Sequence, residues 1–131
     1  MVTVDTHIMI WDALSQDKLS RKAREALLNA NNSDGIIICD ISLWEISMLM
    51  EKKRLEIDAE YPEFIDLLLR SRNYIVQPIT PDIAYLSAKL YPKINADPAD
   101  RLIAATSIYR KAPLITADRN LCQADSVISI W

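Results

Sequence analysis

Two kinds of apolar run alternate along this chain. Short β-branched stretches occupy residues 2–4, 36–39, 74–76, 114–116 and 127–130, and they are apolar rather than alternating. Strands covered on both faces read this way, because neither face meets water. Between them lie longer segments with apolar residues at helical spacing, over residues 20–30, 42–54, 61–72, 81–91 and 98–111. Strands separated by helices are joined by right-handed crossovers, so the pattern predicts a three-layer α/β domain with a mostly parallel sheet. Thr80-Pro81 and Asp97-Pro98 each place a capping oxygen before a proline at the first helical position. Ser42 followed by Glu45 has capping-box spacing, and Lys52-Lys53-Arg54 suits the negative end of a helix.

Composition changes this picture by subtraction. The 131 residues are expected to form one domain, 1–131, with 50% hydrophobic residues to fill a core. A single glycine, Gly35, excludes a P-loop, a dinucleotide fingerprint and a nucleophile elbow, each of which needs several. A single histidine, His7, excludes multi-histidine metal sites, and two distant cysteines exclude a zinc module or disulfide scaffold. Any metal must therefore be held by oxygen ligands. The net charge of −3, from 15 basic and 18 acidic residues, is not that of a dedicated nucleic-acid binder. No apolar run approaches the ~18–20 residues of a membrane span, and the N-terminus does not read as a signal peptide. Few cysteines and no export signal predict a cytoplasmic protein.

Parallel sheets bind ligands at the carboxyl ends of their strands, near a switch in strand order. Asp5-Thr6 follows the first apolar run, Asp40 and then Ser42-Leu43-Trp44-Glu45 the second, and Thr116 and Asp118 come after the fourth strand. Asp97 and Asp100 open the helix before that fourth run. Each acid also has a local explanation. Asp5 and Asp97 are suited to N-caps, Asp100 to a first helical turn, Glu45 to a capping box and Asp118 to a turn. Capping does not explain why all of them fall at one sheet edge. Carboxylates crowded within ~4–6 Å repel one another unless a cation neutralises them, and their oxygens suit magnesium or manganese. Two such ions support phosphodiester hydrolysis without a histidine, cysteine or lysine nucleophile.

Four stretches then resemble a known family. Val2-Thr3-Val4-Asp5-Thr6-His7-Ile8-Met9-Ile10-Trp11 is similar to the opening of PIN-domain proteins of the VapC toxin type, and Ile41-Ser42-Leu43-Trp44-Glu45-Ile46 to their second motif. Asp97-Pro98-Ala99-Asp100-Arg101-Leu102-Ile103-Ala104-Ala105-Thr106 resembles the third, and Leu114-Ile115-Thr116-Ala117-Asp118 the fourth. The resemblance implies an α/β/α PIN-like domain with a five-stranded parallel sheet in the order 3-2-1-4-5. It implies an endoribonuclease dependent on Mg2+ or Mn2+, acting as a toxin restrained by a cognate antitoxin. By position, Asp5, Glu45, Asp100 and Asp118 would hold one or two metal ions, with Asp97 an additional acid nearby. Thr6, Ser42 and Thr116 match small hydroxyl positions that orient carboxylates or waters, and Arg101 and Arg119 are candidates for RNA contact. The resemblance places an antitoxin segment over an apolar groove near Trp11, Trp44 and the helix at 42–54. The acidic net charge suggests a homodimer that pools its basic residues around two acid pockets.

The remaining residues have plainer expectations. His7 should pack or hydrogen-bond within the first helix, Trp11 and Trp44 should lie in the core, and Cys39 and Cys122 should be buried thiols. Lys52–Arg54, Arg70 and Arg72 read as solvated helix ends. A haloacid-type phosphatase would need an aspartate where His7 stands, and a receiver domain a phosphoacceptor where Gln77-Pro78 stands. A PIN-fold binding module without catalysis and a housekeeping RNA-processing nuclease remain the alternatives.

Overall fold

The structure, a computed structural model, describes residues 1–94 and 97–131. Strand β1 (Val2–Val4) leads through α1 (Thr6–Leu14), one 3-10 turn (Gln16–Lys18) and α2 (Arg21–Asn31) to β2 (Ile36–Cys39). Helices α3 (Ile41–Glu51) and α4 (Tyr61–Arg70) then precede β3 (Tyr74–Gln77), and α5 (Pro81–Lys89) and α6 (Pro98–Arg110) precede β4 (Leu114–Ile115). Helix α7 (Arg119–Cys122) precedes β5 (Ser129–Ile130). All strand pairings are parallel, and the order is β3-β2-β1-β4-β5, as expected. The chain leaves β1 toward β2 and returns on its other side at β4, so the switch point lies between β1 and β4.

Alternation along the strands divides the core between the two sheet faces. Ile36, Ile38 and Ile115 pack with Ile8, Met9, Leu27, Ile46 and Phe64 from α1 to α4. Cys39 and Leu114 pack on the other side with Ile83, Ile103, Ala104 and Leu121 from α5 to α7. Each such Leu, Ile or Phe contributes about 1.5–3 kcal/mol by leaving water. The lone glycine is needed where it stands. Gly35 has φ 104°, and a Cβ there would meet Ile75 Cδ1 at 2.9 Å and the Asn73 carbonyl at 3.1 Å.

Helices α3 and α5 end at Glu51 and Lys89, short of the 54 and 91 expected, and two other helix ends differ in their partners. Helix α3 begins at Ile41 with Asp40 in the cap position, and Asp40 Oδ2 instead accepts the Ile79 N–H at 3.3 Å, tying β2 to the loop after β3. Helix α4 stops at Arg70. Beyond it Arg72 is not solvated but donates to Asp12 through Nε and Nη2, at 3.0 and 3.1 Å. The Asp12 side chain is only 4% exposed, so this pair is a buried clamp between α1 and the entrance to β3. Among the described residues, no helix is long and apolar enough to cross a membrane.

Candidate active site

The end of β1 delivers Asp5 to the cap of α1, where Oδ1 accepts the N–H groups of His7 and Ile8 at 2.9 and 3.3 Å. Because β1 and β4 are neighbours, Thr116 arrives beside it and donates its hydroxyl proton to Asp5 Oδ2. The same Thr116 oxygen accepts the Asp118 N–H at 3.1 Å, and the Asp118 carboxylate caps α7 by accepting the Leu121 N–H at 3.1 Å. One hydroxyl thus fixes two acids carried by adjacent strands.

Helix α3 supplies the third acid from the opposite bank. Thr6 Oγ1 donates to Glu45 Oε1 at 2.5 Å and lies 2.9 Å from Ser42 Oγ. A threonine has one hydroxyl proton, so with an ionised Glu45 the Ser42 hydroxyl is the donor to Thr6. The expected capping box is therefore absent: Ser42 is buried inside the helix start, and both side chains turn toward α1. Helix α6 brings the last two acids. Asp97 caps it by accepting the Ala99 N–H at 3.0 Å, and Asp100 stands in its first turn.

Asp5, Glu45, Asp97, Asp100 and Asp118 line one cavity of about 310 Å³, together with Thr6, His7, Ile8, Trp11, Ile103 and Ala117. Burial raises Asp5, Glu45 and Asp100, and crowding adds to it at Glu45 and Asp100. Desolvation raises Asp5, partly offset by the Thr116 hydrogen bond. Glu45 is raised by desolvation and by Asp97, against the Thr6 hydrogen bond. Asp100 is pushed up to about 7 by desolvation and then by the charges of Asp97, Asp118, Asp5 and Glu45. Among the described residues no three acids are drawn close enough to grip an ion as placed. The donor set itself fits a hard divalent cation: carboxylate oxygens, no sulfur, and a net negative cavity.

Several side chains lie elsewhere than expected. Trp44 is 57% exposed and forms an apolar shelf with Ile41, Pro98 and Leu102 that shares Asp97 with the acid cavity. Cys39 is buried but Cys122 only half so. Neither Arg101 nor Arg119 lines the cavity; Arg101 lies over the Tyr91 ring at 5.3 Å, and Arg119 is exposed at the start of α7. Conversely, exposed His7 and half-buried Trp11 both line it. They are one helical turn apart on α1, and that spacing after Asp5 is the sequence signal that sets both beside the acids.

Comparison with known proteins decides the family, because a profile of the PIN domain matches residues 2–127. The chain belongs to the PIN-domain family. Ribonuclease VapC22 of Mycobacterium tuberculosis is 31% identical over 120 residues, covering 92% of this PIN domain and 88% of that protein. VapBC2 from Rickettsia felis, solved with a DNA fragment from its promoter, aligns with TM-score 0.74 and 18% identity over 98% of this chain and 97% of that one. DNA-bound VapBC from Salmonella typhimurium aligns with TM-score 0.71 and 16% identity, again over 98% and 97% of the two chains. These structures share the fold, and the strand order 3-2-1-4-5 of this PIN domain agrees with the order its motifs imply.

Proposed function

We propose that this PIN domain is a divalent-metal-dependent endoribonuclease and the toxin of a toxin–antitoxin pair. The observation that carries the reading is the convergence of five carboxylates on one cavity at the β1/β4 switch point. Burial, and then the charges of the neighbouring acids, push Asp100 up to about 7, which opposes folding unless cations belong there. Similarity to Ribonuclease VapC22 supports RNA as the substrate, and similarity to VapBC assemblies supports an antitoxin partner. Asp5, Glu45, Asp100 and Asp118 would hold one or two ions of Mg2+ or Mn2+, with Asp97 at the rim. When bound, the metal supplies positive charge for the phosphodiester and its leaving oxygen and makes water a better nucleophile.

The chain's own groups do the positioning. Thr116 holds Asp5 and the Asp118 backbone in register, and the Ser42-to-Thr6-to-Glu45 relay orients Glu45 toward the cavity. Ile8 and Ile103, both buried, contribute hydrocarbon to the lining. Arg101 and Arg119 sit outside the cavity and would meet phosphates only farther along the strand. The Trp44 shelf supplies apolar surface for an antitoxin segment beside Asp97, and a homodimer would pool the scattered cations.

The test is cleavage of RNA by the purified protein with Mg2+ or Mn2+, and its loss with EDTA. RNA binding without cleavage under every divalent ion would leave a binding module. Cleavage indifferent to EDTA would overturn the metal site.

A further inference from the structure

We propose that His7, Trp11 and Trp131 form a stacking platform for an unpaired nucleobase next to the RNA phosphodiester in the acid cavity, an inference that rests on the ribonuclease reading. His7 and Trp11 line the same cavity as the five acids. Their ring centroids are 6.0 Å apart, and Trp11 continues to Trp131 at 6.1 Å, so the three rings form a connected row of which His7 and Trp11 border the acids. His7 and Trp131 are exposed and Trp11 is half-buried, which leaves ring surface open along the row. Lys18 Nζ stands 5.9 Å from the Trp11 centroid, so an arriving nucleotide meets a cation as well as an aromatic face.

Aromatic rings beside cations are how single-stranded nucleic acid is held without sequence readout. The geometry says how a base would sit. The rings are tilted by 57° and 53° with centroids about 6 Å apart, and a base inserted between two of them would need about 3.4 Å on each side. No slot of that width exists at 6 Å, so the base lies on the outer face of the row rather than between its rings. A paired base has both faces covered by its neighbours, so the platform takes RNA whose base at this position is unstacked, in a loop or single strand. The acids alone hold a phosphodiester and cannot make that distinction. The row therefore acts in positioning and in selection of substrate structure, not in the chemical step.

The test uses the unmodified protein with Mg2+ or Mn2+ and a short single-stranded RNA spanning a mapped cleavage site. It is compared with the same RNA carrying an abasic nucleotide on one or the other side of the cleaved bond. The expected result is a KM raised about 5- to 100-fold by the abasic nucleotide on one side, with kcat within about twofold. Trp11→Ala should raise KM for intact RNA by a similar factor yet add nothing on the abasic RNA, while Trp11→Phe recovers most of the loss. Equal KM for intact and abasic RNA overturns the platform without touching the ribonuclease reading. So does a Trp11→Ala defect of the same size on both RNAs, which marks a structural role. Unchanged RNA kinetics in Trp11→Ala, together with loss of a partner protein's binding, reassigns the row to protein docking. Absence of cleavage of any RNA removes the ribonuclease reading, and the platform with it.

Discussion

Thr116 donates its hydroxyl proton to Asp5 across the β1/β4 boundary, although the two residues lie 111 positions apart in sequence. That bond opposes the desolvation that raises Asp5. Thr116→Val keeps the β-branched shape but leaves Asp5 Oδ2 without this donor and the Asp118 N–H without its acceptor. We expect Asp5 to rise further and the acid limb of the cleavage rate to move to higher pH. Activity near neutral pH should fall at least tenfold, and about 1–3 kcal/mol of stability should be lost. Thr116→Ser retains the hydroxyl and should stay near the parent. Cleavage rates across pH and denaturant unfolding check both statements.

The two acids of α6 should separate cleanly. Asp97 is exposed and caps the helix through Ala99, and asparagine caps about as well, so Asp97→Asn should keep the fold and much of the activity. Asp100→Asn removes charge from the middle of the cluster and should lower turnover by orders of magnitude. Side-by-side RNA cleavage assays of the two variants decide the assignment, which is wrong if Asp97→Asn is the inactive one.

Metal-free stability should fall as pH rises. Asp100 titrates at about 7 when folded and at ~3.9 when unfolded. Between those values the native state holds more protons than the unfolded chain, so unfolding becomes easier with increasing pH. Asp5 and Glu45 are shifted in the same direction. In EDTA, Asp100→Asn should flatten the decline in melting temperature between pH 4 and 7 and melt higher than the parent at pH 8. Mg2+ or Mn2+ should restore the parent at pH 8, because the ion binds only the folded cluster. A parent whose EDTA melting curve is parallel to that of Asp100→Asn across this range would contradict the repulsion.

Outside the acid cavity, Asp12 depends on Arg72. Arg72→Met leaves a buried carboxylate with, among the described residues, only the Gln16 amide, at 3.2 Å, as a side-chain donor. The expected loss is about 3 kcal/mol, measured by denaturant unfolding, with cleavage per folded molecule unchanged. Pairing it with Asp12→Leu should recover most of that loss, since no unpaired charge is then buried.

The alternation of apolar strands and amphipathic helices already determined the layers, because continuous burial and helical spacing are local properties of the sequence. It also placed Asp5 and Asp118 at strand ends, and a parallel sheet aligns all its carboxyl ends along one edge. Asp97 in the cap of α6 was legible for the same reason: a proline at the first helical position leaves little choice. The partners of those residues were not local. Ser42 and Glu45 have the spacing of a capping box, but α3 starts at Ile41, and the packing of α1 against α3 gives both side chains to Thr6. Arg72 looks like a solvated helix end until the chain turning into β3 brings it onto Asp12. Trp44 carries the apolar signature of a core residue, yet the sheet is already covered by Ile46, two residues on and on the opposite side of α3, and Trp44 is left facing out beside Asp97. Composition and periodicity record which residues avoid water. Which hydroxyl meets which carboxylate, and which ring borders the acids, follows from the crossing of elements distant in sequence, and only tertiary packing decides that.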